Sequence, residues 1–196
     1  MPNLRIVPAN EASFEDLQAV FGERGSAANC QCQRYKLAPR EAFAKFPVEE
    51  RQHRLRTQTC CEDPDARDTS GLVAYAGDEP VGWVAVEPRP KYSGLLRNQR
   101  VPWVGRQTPA HDPSIWAVTC VFVRVGHRRA GLAKALAAAA VEFARSRGAT
   151  AIEAYPIVSG ATWDEIHVGT PEMFTAAGLS VVHRPTKRRL VMRKDF

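Results

Sequence analysis

The 196-residue chain holds no apolar run long enough to cross a membrane. Residues 1–17 mix acidic residues among short apolar ones, so neither a signal peptide nor a spanning helix is expected. The cysteine count is five, an odd number that fits poorly with a secreted disulfide framework, and a cytoplasmic setting follows as the expectation. Cys30, Cys32, Cys60 and Cys61 lack the two-to-four-residue gap that commonly brings two sulfurs to one zinc, so no metal is expected. No glycine is followed by Lys-Ser or Lys-Thr and no GxGxxG pattern occurs, which removes two familiar phosphate loops. No Ser/Gly linker or low-complexity run divides the chain, and a single domain over 1–196 is expected.

What the chain does carry is positive charge, +6 in formal terms with a pI near 9.3. Such a balance suits nucleic acid, an acidic membrane surface or a polyanionic small ligand. Lys and Arg are dispersed, apart from Lys187-Arg188-Arg189 and Arg193-Lys194 near the end, so neither a nucleic acid nor a membrane is the expected partner.

The most informative stretch runs from 116 to 148. Residues 116–123 are apolar on both alternating faces and predict a central strand covered on both sides. From Leu132 the apolar positions recur at Leu136, Ala139, Ala140 and Phe143, the spacing of a single helix face, and Gly148 stops it. Between them lies Arg128-Arg129-Ala130-Gly131-Leu132-Ala133, and no Ser, Thr, Asn or Asp occurs from 126 to 133 to cap the helix. First-turn N–H groups without a capping side chain, at the positive end of a helix and beside two arginines, call for an anion, and a diphosphate suits them.

Around this centre, residues 4–7 predict a first strand, and Ser13 with Asp16 opens a helix through Val20. Residues 24–29 read as a loop, and 40–58 as one or two helices entered at Pro39 and broken near Pro47. Two apolar runs at 71–76 and 80–86 flank Gly77-Asp78-Glu79 and predict a hairpin. Residues 89–113, rich in Pro, Arg and Gly, read as a long ordered loop. A second strand at 151–155 is expected parallel to the first because a helix provides the crossover. A helix at 169–177 and strands at 179–183 and 189–192 close the chain.

The hexapeptide Arg128 to Ala133 resembles, position by position, the Arg/Gln-x-x-Gly-x-Gly/Ala pyrophosphate motif of the GCN5-related N-acetyltransferases, and it has the strand before it and the helix after it. Gly82-Trp83-Val84 is similar to a strand typical of that family. The resemblance covers 71–192 well and the first third in outline. It implies an α/β (α+β) fold: a mixed central sheet of six to seven strands, helices on both faces and two parallel strands splayed in the middle. It further implies a helical acceptor-side region at 1–70 and an acetyl-CoA-binding core at 71–196. The implied reaction is transfer of an acetyl group from acetyl-CoA to an amine of a small molecule or protein, by direct attack in a ternary complex.

By the same resemblance Arg128, Arg129, Ala130, Gly131, Leu132, Ala133 and Lys134 hold the cofactor, and a backbone N–H at Phe122 or Val123 polarises the thioester carbonyl. Residues 30–35 are expected to line the acceptor pocket, with Cys32, Tyr35, Trp83 and Trp103 as candidate contacts. The family's tyrosine acid is replaced by Phe174, and the asparagine seven residues earlier by His167, which Asp164 or Glu165 could orient. Cys120 and Tyr155 are the other candidates for proton transfer. Phe174 leaves open a non-catalytic acyl-CoA-binding domain of the same fold, and the basic C-terminal residues a nucleic-acid binder. The oligomeric state, homodimer included, stays open.

Overall fold

The computed structural model describes residues 3–98, 101–158, 160, 162 and 165–196. In chain order the strands are β1 (Leu4–Pro8), β2 (Leu72–Ala76), β3 (Glu79–Pro88), β4 (Ile115–Val123), β5 (Ala151–Ala154), β6 (Ser180–His183) and β7 (Val191–Asp195). The helices are α1 (Phe14–Phe21), α2 (Gly25–Cys30), α3 (Val48–Thr59), α4 (Ser93–Asn98), α5 (Leu132–Ser146) and α6 (Pro171–Ala176). The strands form one sheet in the order β1-β2-β3-β4-β5-β7-β6, antiparallel throughout except for β4 and β5. That parallel pair needs a crossover connection, and α5 supplies it. The first seventy residues therefore contribute an edge strand as well as helices.

Both faces of the sheet are covered, which is why the central strands show no apolar/polar alternation. Leu72, Val84, Val118 and Ile152 point to the side packed by Leu136 and Ala140 of α5 and Phe174 of α6. Val73, Trp83, Ala85 and Cys120 point to the other, under Leu17 and Phe21 of α1 and Leu55 of α3. Gly82 lets α5 approach: a Cβ there would lie 2.9 Å from Leu136 Cδ1. Caps match the sequence where polar side chains were present, Ser13 accepting from the N–H of Asp16 at 3.0 Å and Thr170 from that of Met173 at 3.3 Å.

Three connecting segments differ from the sequence reading. Residues 24–29 are not a loop but mostly α2, a helix with one buried residue, Ala28, and hence no apolar stripe to betray it. Pro39 does not open a helix; Arg40 takes a left-handed φ of 67° in a turn, and helix begins only after Pro47, apart from one 3₁₀ turn at Phe43–Lys45. Within 89–113 the chain forms 3₁₀ turns at Arg89–Lys91 and Val101–Trp103 and the short α4.

Candidate active site

The site begins with an irregularity in β4. Ala85 pairs with Cys120 and Val86 with Val118, so Thr119 is an extra residue that bends the strand. On the other side, pairing with β5 stops at Val118–Ala154, because Pro156 cannot continue the ladder and Ile157 bridges instead to Arg189. Among the described residues the β4 edge from Thr119 to Val123 on this side has no strand partner, and the 3₁₀ turn Ile166–Val168 packs against β4.

A cleft of 670 Å³ runs from this edge to the start of α5. Phe122, Val123, Arg128, Arg129, Gly131, Leu132, Ala133 and Lys134 all line it, leaving only Ala130 of the expected cofactor residues outside. Gly131, at φ 80°, is the N-cap of α5 and offers no capping side chain. The N–H groups of Gly131, Leu132 and Ala133 have no acceptor among the described residues. Arg129 also takes a left-handed φ of 65°, a conformation that non-glycine residues adopt sparingly. Arg128 Nε donates to the carbonyl of Val123 at 3.2 Å and so ties the turn to the strand end. His167, Thr170, Glu172 and Met173 form the facing wall.

A second cavity, of 220 Å³, shares Phe122 with the first. It is lined by Phe21, Ser26, Asn29, Cys30, Cys32, Arg34, Phe43, Cys120 and His167, among others. Ser26, Phe122 and His167 line both cavities, which therefore meet there. The 30–35 segment alternates: Gln31, Gln33 and Tyr35 are buried, while Cys30, Cys32 and Arg34 face the cavity. The buried amides fasten it, Gln31 exchanging two bonds with Gln18 at 2.9 and 3.1 Å and Gln33 donating to Gln58 at 2.9 Å.

The candidate proton carriers are separated by this geometry. His167 lines both cavities; Asp164 lies outside the described residues, and Glu165 accepts from Arg188 at 2.9 Å. Cys120 is buried at the second cavity, and its hydrogen bond with Cys32 together with burial pushes its thiol well above the ordinary range. Tyr155 lines neither cavity: burial and the charge of Glu153 raise its phenol well above the ordinary range, and its hydroxyl donates to Glu153 at 3.0 Å. The replaced acid position, Phe174, is fully packed in the α5 side of the core.

Three of the expected acceptor contacts also move elsewhere. Trp83 is wholly buried, its indole N–H donating to Cys32 Sγ at 3.0 Å, so it supports the cavity wall from behind. Tyr35 and Trp103 belong with Tyr155 to a separate aromatic cluster, because large rings fill the space where β5 departs. Beneath that cluster lies a feature the sequence reading passed over, Glu153, buried and paired with Arg89 at 3.0 Å, Arg106 at 2.6 Å and Arg193 at 3.1 Å. Burial works to raise its carboxyl, and the hydrogen bond and charge of Arg106 outweigh it, leaving the group below the usual carboxylate range. At the basic C-terminal end, Arg188 pairs with Glu165, Arg189 donates to the Tyr155 carbonyl at 3.0 Å and Arg193 pairs with Glu153 and Asp195. Among the described residues no three His, Cys, Asp or Glu side chains are placed to hold a metal, and no helix is long and apolar enough to cross a membrane.

A family model described as the acetyltransferase (GNAT) family matches residues 33–160, well over half of the chain. The chain belongs to that family. Its sheet, with the parallel pair parting in the middle and helices on both faces, is the GNAT fold. A GCN5-related N-acetyltransferase from Kribbella flavida shares it with a TM-score of 0.56 at 17% identity, over 98% of each chain. PaiA N-acetyltransferase from Thermoplasma acidophilum, solved in complex with coenzyme A, gives 0.53 at 12% over 99% of each. The yncA protein of Salmonella typhimurium, solved with its cofactor acetyl-CoA, gives 0.55 at 13%, covering 98% of this chain and 93% of that one. No curated protein sequence matches this GNAT chain. Several residues of the candidate site carried no signal in the sequence: Phe21 reaches the second cavity from the last position of α1, and Ser26, Asn29 and Phe43 reach it from α2 and the 3₁₀ turn, elements too short to announce a face.

Proposed function

We propose that this chain is an acetyl-CoA-dependent N-acetyltransferase that acts on the primary amine of a small molecule by direct attack in a ternary complex. The observation that carries the reading is the meeting of two cavities at Phe122 and His167, one along the turn into α5 and one among α1, α2 and the 30–34 turn. The 220 Å³ volume of the second favours a small acceptor over a protein terminus.

The residues suit the cofactor. Three N–H groups without acceptors among the described residues, at the positive end of α5 and with Arg128, Arg129 and Lys134 beside them, match a diphosphate. The unpaired β4 edge offers backbone groups to an amide-bearing arm. When bound, acetyl-CoA supplies an acetyl thioester whose carbonyl carbon is the electrophile. Arg124 donates its N–H back to Val81 on β3 at 2.9 Å, so strand alternation turns the N–H of Val123 toward the open edge, where it serves as donor to that carbonyl.

In the transfer a nitrogen–carbon bond forms and the carbon–sulfur bond breaks; of the two protons the ammonium nitrogen gives up, one goes to solvent as the amine becomes neutral and the other has to move from nitrogen to the leaving sulfur. Among the described residues His167 is the one ionisable side chain that lines both cavities, and it takes that proton directly or through water. Once protonated it serves as the acid for the leaving sulfur, a role that Phe174 cannot fill.

An amine-panel assay with acetyl-CoA, followed by free thiol release, tests the reading, with calorimetry on coenzyme A beside it. Amine-dependent release is the expected result. The core position of Phe174 and the protonated Cys120 favour a second reading, a non-catalytic acyl-CoA-binding domain. Heat on binding with no amine-dependent release would select that one, and no heat at all would remove both.

A further inference from the structure

We infer, resting on the transferase reading above, that the acceptor is a small amine bearing a carboxylate on an apolar body, as an apolar amino acid does, and that Arg34 selects it. The acceptor cavity is poor in negative charge: among the described residues that line it there is no aspartate or glutamate, while Arg34 is one of them. A polyamine or aminoglycoside brings several ammonium groups to a wall that offers them a guanidinium and no carboxylate, and like charges in a partly dry site repel. A molecule whose second charge is negative meets the opposite field.

Arg34 is placed to receive that charge. The buried amides of Gln31 and Gln33 hold the alternation that turns Arg34 to the cavity. Its guanidinium lies 5.1 Å over the ring of Phe43 and has no hydrogen bond or ion pair with any described residue. Stacking on a ring engages one face and leaves the N–H fork for a planar oxyanion, the geometry in which arginine binds carboxylates with two bonds. The neighbouring arginines differ: Arg51 gives its donors to backbone carbonyls and Arg54 to Glu41 and Glu50. Ser26, Asn29 and His167 bring further polar atoms to the wall, and its apolar part is formed by Phe21, Phe43, Phe122 and the thiols of Cys30 and Cys120, which burial helps to keep protonated. Such a wall takes an aliphatic or aromatic side chain.

The test compares kcat/KM for leucine and phenylalanine with isoamylamine and phenethylamine, their decarboxylated counterparts, and with spermidine as the polycation. It uses the full chain and acetyl-CoA, with coenzyme A binding read in parallel by calorimetry. The amino acids are expected to exceed their decarboxylated partners by about tenfold or more, the range of a charge-assisted hydrogen bond, with spermidine poorest. Arg34→Gln brings that ratio toward one, Arg34→Lys keeps part of it, and Arg34→Glu inverts it. Equal or better use of the decarboxylated amines or spermidine, or a preference that survives Arg34→Glu, overturns the role given to Arg34 while leaving the transferase intact. Binding of coenzyme A with no amine acetylated removes the transferase reading and this one together.

Discussion

The guanidinium of Arg51 lies 3.9 Å over the ring of Phe43 while donating to the carbonyl of that same residue at 2.6 Å. It also donates to Phe46 at 2.6 Å and to the carbonyl of Asn29, so one buried side chain joins α2, the 3₁₀ turn and the entry to α3 around the acceptor cavity. Arg51→Met keeps the apolar stem and removes these charge-assisted bonds, which should cost about 2–4 kcal/mol. Arg51 is no part of the cofactor cleft, so the acceptor KM should rise more than the dissociation constant for coenzyme A. Thermal unfolding, acceptor kinetics and calorimetry read the three effects. An unchanged acceptor KM in a destabilised variant would mean that Arg51 supports the fold alone.

Gly131 caps α5 at φ 80°, where an added Cβ costs about 1–2 kcal/mol. Relaxing that strain turns away the N–H groups of Gly131, Leu132 and Ala133, which have no acceptor among the described residues. Gly131→Ala should therefore weaken coenzyme A binding by roughly tenfold, about 1.4 kcal/mol. Calorimetry against coenzyme A measures it, and full retention of affinity would move the diphosphate away from this turn.

The strand, turn and helix from Ile115 to Ser146 are the part of the fold most legible from sequence. There the local pattern and the tertiary environment demand the same residues: apolar on both strand faces, small at the turn, one stripe on α5. Helix α2 was illegible because contacts made elsewhere hold it, the Gln18–Gln31 amide pair among them, and it has almost no buried face of its own. Aromatic residues misled in the other direction: Tyr35, Trp83, Trp103 and Tyr155 suit a ligand pocket and a core equally well, and here three fill the gap beside β5 and one backs the cavity. Glu153 did leave a trace, since a carboxylate inside the apolar run 151–155 has to find buried partners. Nothing local could say that they would be Arg89 and Arg106 from the long connection before β4.

That cluster predicts an acid-sensitive fold. The folded carboxyl of Glu153 titrates below its unfolded value, so its contribution is fully present above the unfolded pKa, near 4.3, and is lost as pH falls through the folded one. Glu153→Gln leaves Arg89 and Arg106 buried with no counter-charge and should cost about 3–5 kcal/mol at neutral pH. Below pH 4 the gap between variant and wild type should narrow. Thermal unfolding from pH 7 to pH 3 reads both features, and a gap that stays constant would show that the carboxylate keeps its proton off throughout that range.

The last prediction concerns His167, because the other titratable candidates are disabled for physical reasons. Cys120 is held as a thiol by Cys32 and by burial, the Tyr155 hydroxyl is occupied by Glu153, and Phe174 has no proton to give. If His167 is the base, transfer needs its neutral form, and kcat/KM for the amine must fall as pH drops and the imidazole becomes protonated. His167→Ala should lower kcat by roughly a hundredfold and erase the imidazole limb of the pH profile, leaving the limb set by the amine itself. The two losses have to occur together. A variant that is slow yet keeps the limb would make His167 a wall of the junction between the cavities and hand the proton to water, while a variant that loses neither would leave orientation at Val123 as the main contribution of this chain.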